Sequence, residues 1–144
     1  MRLEVRGAKL DDAFDIQKLN STEMGYSYPL EQTRQQLMEL LQSEEDKIFV
    51  VEVDGVVAGY VHANNYELLY APPMKNVMGI AVSSDYRKMG IGKALLERVE
   101  QWAKETGAAG VRLVSGGSRI DAHSFYNSLG YGEGKPQLNF KKQL

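Results

Sequence analysis

A chain of 144 residues is long enough to bury one core without staples, and its length suits a single domain over 1–144. It has no cysteine, which excludes disulfides, thiolate nucleophiles and cysteine zinc sites. A formal charge of −2 gives no global attraction to nucleic acid, and no apolar run is long enough to span a bilayer.

Met1–Arg6 carries no apolar h-region, so no signal peptide is expected there, and a cysteine-free chain fits a reducing cytoplasm. Leu3 and Val5 alternate with charges, which predicts a short half-buried strand. Asp11 or Asp12 can cap a helix that carries Phe14, Ile16 and Leu19 and ends before Gly25. Pro29 suits the first turn of a second helix with the stripe Leu30, Leu37, Leu40 and Leu41. Ile48–Val51 and Val56–Val61 flank Asp54-Gly55, a hairpin signal. The second of these strands is expected to reach Asn65, leaving Glu67 in a loop. Pro72-Pro73 should break the chain before a strand over Asn76–Val82. The next helix, from Gly92 to about Thr106, puts Leu95, Val99, Trp102 and Ala103 on one face, and Gly107 stops it. A strand within Gly110–Ser115, a helix near Ala122–Leu129 and a terminal strand over Leu138–Lys142 complete the order. That order predicts an α/β sandwich on a mixed sheet, with a right-handed parallel strand–helix–strand crossover in the middle. Val111–Val114 would lie beside Ile80–Val82.

The segment Arg87-Lys88-Met89-Gly90-Ile91-Gly92-Lys93 follows the apolar strand and opens the amphipathic helix. Strand, glycine turn and helix N-terminus together make an anion site: N–H groups without intrahelical partners converge, and the helix dipole adds to the attraction. Gly90 and Gly92 let a phosphate approach the backbone, and Arg87, Lys88 and Lys93 supply cations. The segment reads as a pyrophosphate cradle. It is not a Walker A loop, because Arg87 stands where the upstream glycine belongs and Ala94 replaces the magnesium-binding hydroxyl. A Rossmann fingerprint fails too, since Leu95 occupies the third glycine position and Gly110–Ser115 carries no carboxylate for a ribose. These failures disfavour a nucleotide-dependent phosphotransferase.

The spacing Arg-x-x-Gly-x-Gly, with Ile80-Ala81-Val82 before it and Leu95-Leu96 after it, resembles the acetyl-CoA motif of the GCN5-related N-acetyltransferases. Ala122–Tyr131 is similar to that family's later helix-and-turn motif, in the right order and at the right separation. The resemblance implies a mostly antiparallel mixed sheet with helices on both faces, the α+β fold of that family. It implies acetyl-CoA as cosubstrate, with no metal and an amine or peptide-amine acceptor. Two strands would splay so that pantetheine bonds the backbone of Ile80, Ala81 and Val82. Gly79 suits a close backbone approach or a bulge. By the same matching, Tyr126 would protonate the departing thiolate and Asn127 would approach the coenzyme arm. Many members have asparagine where Arg119 stands, so an arginine–phosphate contact would replace that interaction or the contact would be lost. Homodimerisation is a further family expectation, with Leu138–Lys142 as an edge available for pairing.

A lysine-like amine of pKa about 10.4 must be neutralised before it attacks, at roughly 4.6 kcal/mol near pH 7. Some relatives use a glutamate on the strand before the cradle, but Asn76–Val82 holds no acid. Glu67 is the first choice of base, acting through water, against a reading as a solvated loop carboxylate. His62 shares side-chain parity with Tyr60 and could face the acceptor, although a structural histidine accounts for it as well. Asp121, His123 and Ser124 are too close on one helix to converge as a triad. The stretches Met24–Tyr28 and Tyr66–Tyr70, with Glu23 or Glu67, would suit a small cationic amine. A catalytically silent CoA-binding regulatory module of the same fold is the rival reading, against which Tyr126 argues.

Overall fold

The computed structural model describes residues 2–115, 120–132 and 134–144. They gather into two compact units, Met1–Arg112 and Leu113–Leu144. Among the described residues, no helix is long and apolar enough to cross a membrane.

Strands β1 (Leu3–Gly7), β2 (Asp46–Val53), β3 (Val56–Leu68) and β4 (Ala71–Val82) pair antiparallel in chain order. β5 (Val111–Leu113) adds to β4 as the parallel member, giving the order β1-β2-β3-β4-β5. Asp54 and Gly55 take φ of 50° and 85°, as a tight turn between right-twisted strands requires. β1 also leads into a 3-10 turn at Leu10–Asp12.

Three expectations about this sheet are corrected. β4 starts at Ala71, not Asn76, and contains both prolines. Between the pairs Tyr66↔Met74 and Leu68↔Ala71, Glu67 alone faces Pro72 and Pro73, so the prolines sit in a bulge where no ladder N–H is needed. β3 therefore runs on to Leu68 and carries Glu67 within the strand. Finally, β5 meets the start of β4, where Lys75 N–H donates to Gly110 C=O at 2.9 Å and Ala109 N–H to Pro73 C=O at 2.8 Å. The reason is the short return: Gly107 takes φ 75° and Ala108 N–H caps Ala103 C=O, which turns the chain straight back to the sheet. A second bulge lies between His62↔Gly79 and Ala63↔Val77, where Met78 is the extra residue.

Helices α1 (Ala13–Met24) and α2 (Leu30–Leu41) cover one face of the sheet, packing Ile16, Leu19 and Leu37 on Ile48, Val50, Tyr60 and Ala81. Phe14, expected in that stripe, is 59% exposed. It lies two residues before Ile16, about 200° of rotation away at 3.6 residues per turn, and so faces outward. Leu30 and Leu41 are also exposed, which leaves Leu37 and Leu40 as the α2 contact. Asp12 precedes α1 but does not cap it. Its carboxylate accepts Lys9 N–H at 2.7 Å and both terminal nitrogens of Arg6 at 2.8 and 2.9 Å.

Helix α3 (Ile91–Glu105) covers the opposite face with Leu95, Leu96 and Val99 fully buried. Its approach depends on Gly59, where a Cβ would stand 2.9 Å from Ile91 Cγ2 and 3.0 Å from Ala81 O. The periodicity of α3 anticipated the helix; the tight approach needed a residue on another strand.

In the second unit, α4 (Ile120–Ser128) ends in a turn with Gly130 at φ 93°. Tyr131 N–H donates to Tyr126 C=O at 3.0 Å, and the two rings meet edge-on at 6.4 Å. The expected terminal strand is not formed: residues 134–144 hold no strand, and Leu138 and Phe140 are 82% and 85% exposed. Apolar alternation alone does not make a strand without a ladder to join. Arg119 lies outside the described residues.

Candidate active site

The cradle is built where β4 passes into α3. Ser83 Oγ accepts Asp85 N–H at 3.3 Å and starts a 3-10 turn at Ser84–Tyr86. Lys88 and Gly90 then take φ of 64° and 78°. Glycine adopts this conformation freely, whereas Lys88 is held there at some cost, a kind of strain found where backbone is shaped for a ligand. The first α3 bond runs from Ala94 N–H to Gly90 C=O at 2.9 Å, so the N–H groups of Ile91, Gly92 and Lys93 precede the helical ladder. Ile91 is 2% exposed and packs inward, so it can serve a ligand only through its backbone. The Arg87 side chain is 72% exposed at the mouth of the loop.

Glu23, at the end of α1, braces this loop. Its Oε2 accepts Ser84 N–H at 3.1 Å, and its Oε1 lies 3.9 Å from the Arg87 guanidinium. Glu23 was expected to suit an acceptor amine; the structure commits it to the cradle loop instead. No local sequence pattern links positions so far apart.

Behind the cradle, Gly79–Val82 leads into a cleft of about 850 Å³ between the sheet and the first two helices. Met24, Tyr26 and Tyr28 line it from the helical side, and Tyr60, His62, Met78 and Gly79 from the strands. Of the two aromatic-rich stretches, Met24–Tyr28 thus reaches the cleft. Leu69 and Tyr70 are instead exposed at the β3–β4 turn. The Tyr60 hydroxyl donates to Asn20 Oδ1. Burial, with Tyr26 adding and Asn20 opposing, pushes the Tyr60 phenol up to about 12, so it stays protonated at neutral pH. His62 Nε2 lies 2.8 Å from Asp46 Oδ1, and Asp46 Oδ2 accepts the Ser43 hydroxyl at 2.8 Å.

Glu67 does not reach this cleft. From Gly59 onward the odd-numbered β3 residues point toward α3, and Glu67 lines a separate pocket of about 260 Å³ with Glu44, Lys75 and Trp102. That pocket also includes Thr106 and Gly107, at the C-terminal end of α3. The cradle sits at the other end of this helix of 15 residues, about 20 Å away at 1.5 Å per residue. Lys75 is buried there, its ammonium 3.9 Å from the Trp102 ring centroid and 2.6 Å from Asn65 Oδ1. Burial lowers its pKa, against an opposing attraction from Glu67.

In the second unit, Tyr126 is half-buried on α4 and Asn127 is exposed. The Tyr126 ring lies 5.4 Å from that of Phe125. Among the described residues, no group of three His, Cys, Asp or Glu side chains is arranged to hold a metal ion.

The acetyltransferase (GNAT) family pattern matches residues 12–131. The chain is 34% identical over 139 residues to the N-alpha-acetyltransferase of Sulfurisphaera tokodaii, across 91% of this chain and 81% of that protein. Its fold matches aminoglycoside N-acetyltransferase AAC(6')-Iy in complex with CoA at a TM-score of 0.88 and 18% identity, across 99% of this chain and 96% of that one. Aminoglycoside 6'-N-acetyltransferase AAC(6')-Ih from Acinetobacter baumannii gives a TM-score of 0.85 at 20% identity, across 99% of each chain. At such identity the two structures speak for the fold alone. Sequence and architecture agree, and the chain belongs to the acetyltransferase (GNAT) family of N-acetyltransferase enzymes.

Proposed function

We propose that the protein transfers an acetyl group from acetyl-CoA to a primary amine by direct attack within a ternary complex. The observation that carries this reading is the cradle: three helix-leading N–H groups, Gly90 at φ 78° and the exposed Arg87 beside them. Arg87–Lys93 would hold the pyrophosphate, and the Ile80–Val82 backbone the pantetheine arm. Asn127 would approach that arm. The amine nitrogen bonds to the thioester carbonyl carbon, the C–S bond breaks, the departing sulfur takes a proton from Tyr126, and the proton that nitrogen sheds on becoming an amide restores the tyrosine through solvent. Holding two substrates together supplies much of the acceleration.

The preferred acceptor is an α-amine on a largely neutral body, such as a peptide N-terminus. The cleft presents tyrosines, amides, thioethers and aliphatic side chains from Asn20, Tyr26, Tyr28, Leu37 and Met78. Several ammonium groups brought together would gain little from that lining. The Sulfurisphaera tokodaii relative, named an N-alpha-acetyltransferase, supports the same choice. An α-amine of pKa about 7.8 costs only about 1 kcal/mol to neutralise at pH 7, far less than a lysine side chain.

Calorimetry with acetyl-CoA in the presence of EDTA tests the cradle. Binding should survive chelation, Gly90→Val should weaken it sharply, and Arg87→Ala should cost about 1–3 kcal/mol. Loss of affinity with EDTA, or wild-type affinity in Gly90→Val, would contradict the assignment.

A further inference from the structure

His62 occupies the point where the two halves of the site meet. In the sheet register it faces Gly79, the residue just before the Ile80–Val82 segment and on its side away from the cradle. Under the proposed function the coenzyme runs from Arg87 back along that segment, so its thioester end arrives near Gly79. Met78, the extra residue of the bulge, opens the ladder at the same place. His62 and Gly79 both line the acceptor cleft.

The contact of the ring with Asp46 fixes which nitrogen is left basic. An ionised carboxylate only accepts, so the 2.8 Å contact between Nε2 and Asp46 Oδ1 places the proton on Nε2. Nδ1 is then the basic nitrogen. Asp46 is itself anchored, because its second oxygen accepts the Ser43 hydroxyl at 2.8 Å and Ser43 Oγ accepts Glu45 N–H at 3.1 Å. A carboxylate fixed at both oxygens holds the imidazole in one tautomer.

We infer that His62 is the general base, with Nδ1 taking the proton from the acceptor ammonium before or as its nitrogen attacks, and Asp46 the residue that positions it. The inference rests on the acetyltransferase reading above. The step balances: the N–H bond of the ammonium breaks, Nδ1–H forms, and the freed lone pair makes the C–N bond. Asp46 on β2 holds the ring, and Tyr60 on β3 with Tyr26 and Tyr28 between α1 and α2 are the titratable groups that line the same cleft. α1, α2 and β4 face the cleft with uncharged residues such as Asn20, Gln36 and Met78.

The test follows transfer of acetyl from acetyl-CoA to synthetic peptides with free N-termini, at saturating cofactor, across pH. His62→Gln keeps an amide to donate to Asp46, so the fold should hold. Turnover should fall by roughly 10²–10⁴-fold while acetyl-CoA affinity by calorimetry stays unchanged. The acidic limb of the wild-type profile should be lost with it, leaving only the titration of the acceptor amine. Added imidazole should restore part of the activity of His62→Ala, and Asp46→Asn should lower kcat without altering cofactor affinity. A purely structural histidine would give neither the lost limb nor the rescue. Wild-type turnover and an unchanged limb in His62→Gln would overturn the base while leaving the acetyltransferase reading intact. Cofactor binding without transfer to any peptide by the wild-type protein would remove that reading, and the base with it.

Discussion

Gly59 sets how closely α3 can lie on the sheet. In Gly59→Ala the new methyl would press on Ile91 Cγ2 and on the Ala81 carbonyl oxygen, and the latter is backbone that cannot rotate aside. Such overpacking should cost about 1–3 kcal/mol, read as a lower urea midpoint with an unchanged slope. Asp12 gives a second prediction at this scale. Burial would raise its carboxyl pKa, but the Arg6 hydrogen bonds, the Lys9 N–H and their charges outweigh burial and hold it below the ordinary 3.8. A depressed folded-state value means the stabilisation is fully present above pH 4 and is lost as pH falls below it. Asp12→Asn should therefore lower stability at neutral pH and flatten the acid limb of a melting-temperature profile; equal losses at pH 7 and pH 2 would contradict this. Tyr126→Phe keeps the ring contacts with Phe125 and Tyr131 while removing the hydroxyl proposed as the acid. Under saturating acetyl-CoA it should lower turnover roughly 10²–10⁴-fold with little change in affinity. Unchanged turnover, with chemistry shown to be limiting, would remove the acid role.

Among the elements, those built from local signals were legible in the sequence. Asp54-Gly55 predicted its hairpin, Gly25 and Gly107 took the left-handed conformations that end helices, and the α3 stripe was buried as its period required. The turn before α3 was legible because Lys88–Gly90 is written in consecutive backbone positions. The bulges were not, since a bulge is a mismatch between two strands and neither strand records it alone. Pro72-Pro73 therefore read as a break when it is a bulge within β4. The place of Glu67 was hidden for a related reason: ending β3 at Asn65 concealed the alternation that turns residue 67 toward α3. The contacts of Glu23 with Ser84 and Arg87 join positions 61 and 64 residues apart, beyond the reach of periodicity. His62 carried its parity in the sequence, but its pairing with Asp46 needed the register of β2 against β3.

At the scale of the molecule, the sheet divides two tasks between its faces. α3 presses its apolar stripe on one face and carries the proposed coenzyme site at its N-terminus, while α1 and α2 leave an open cleft on the other. The β4 strand joins them, bulged at Met78 beside the cleft and running directly into the cradle. The central claim is that this continuity carries an acetyl group from acetyl-CoA to an α-amine. The direct measurement is mass spectrometry of a synthetic peptide after incubation with acetyl-CoA and the wild-type protein, beside the same peptide with a blocked N-terminus. The account predicts acetyl on the N-terminal nitrogen of the free peptide, none on the blocked one, and none from Gly90→Val at subsaturating cofactor. Tight acetyl-CoA binding with no acetylated peptide, or equal labelling of the blocked peptide, would contradict it.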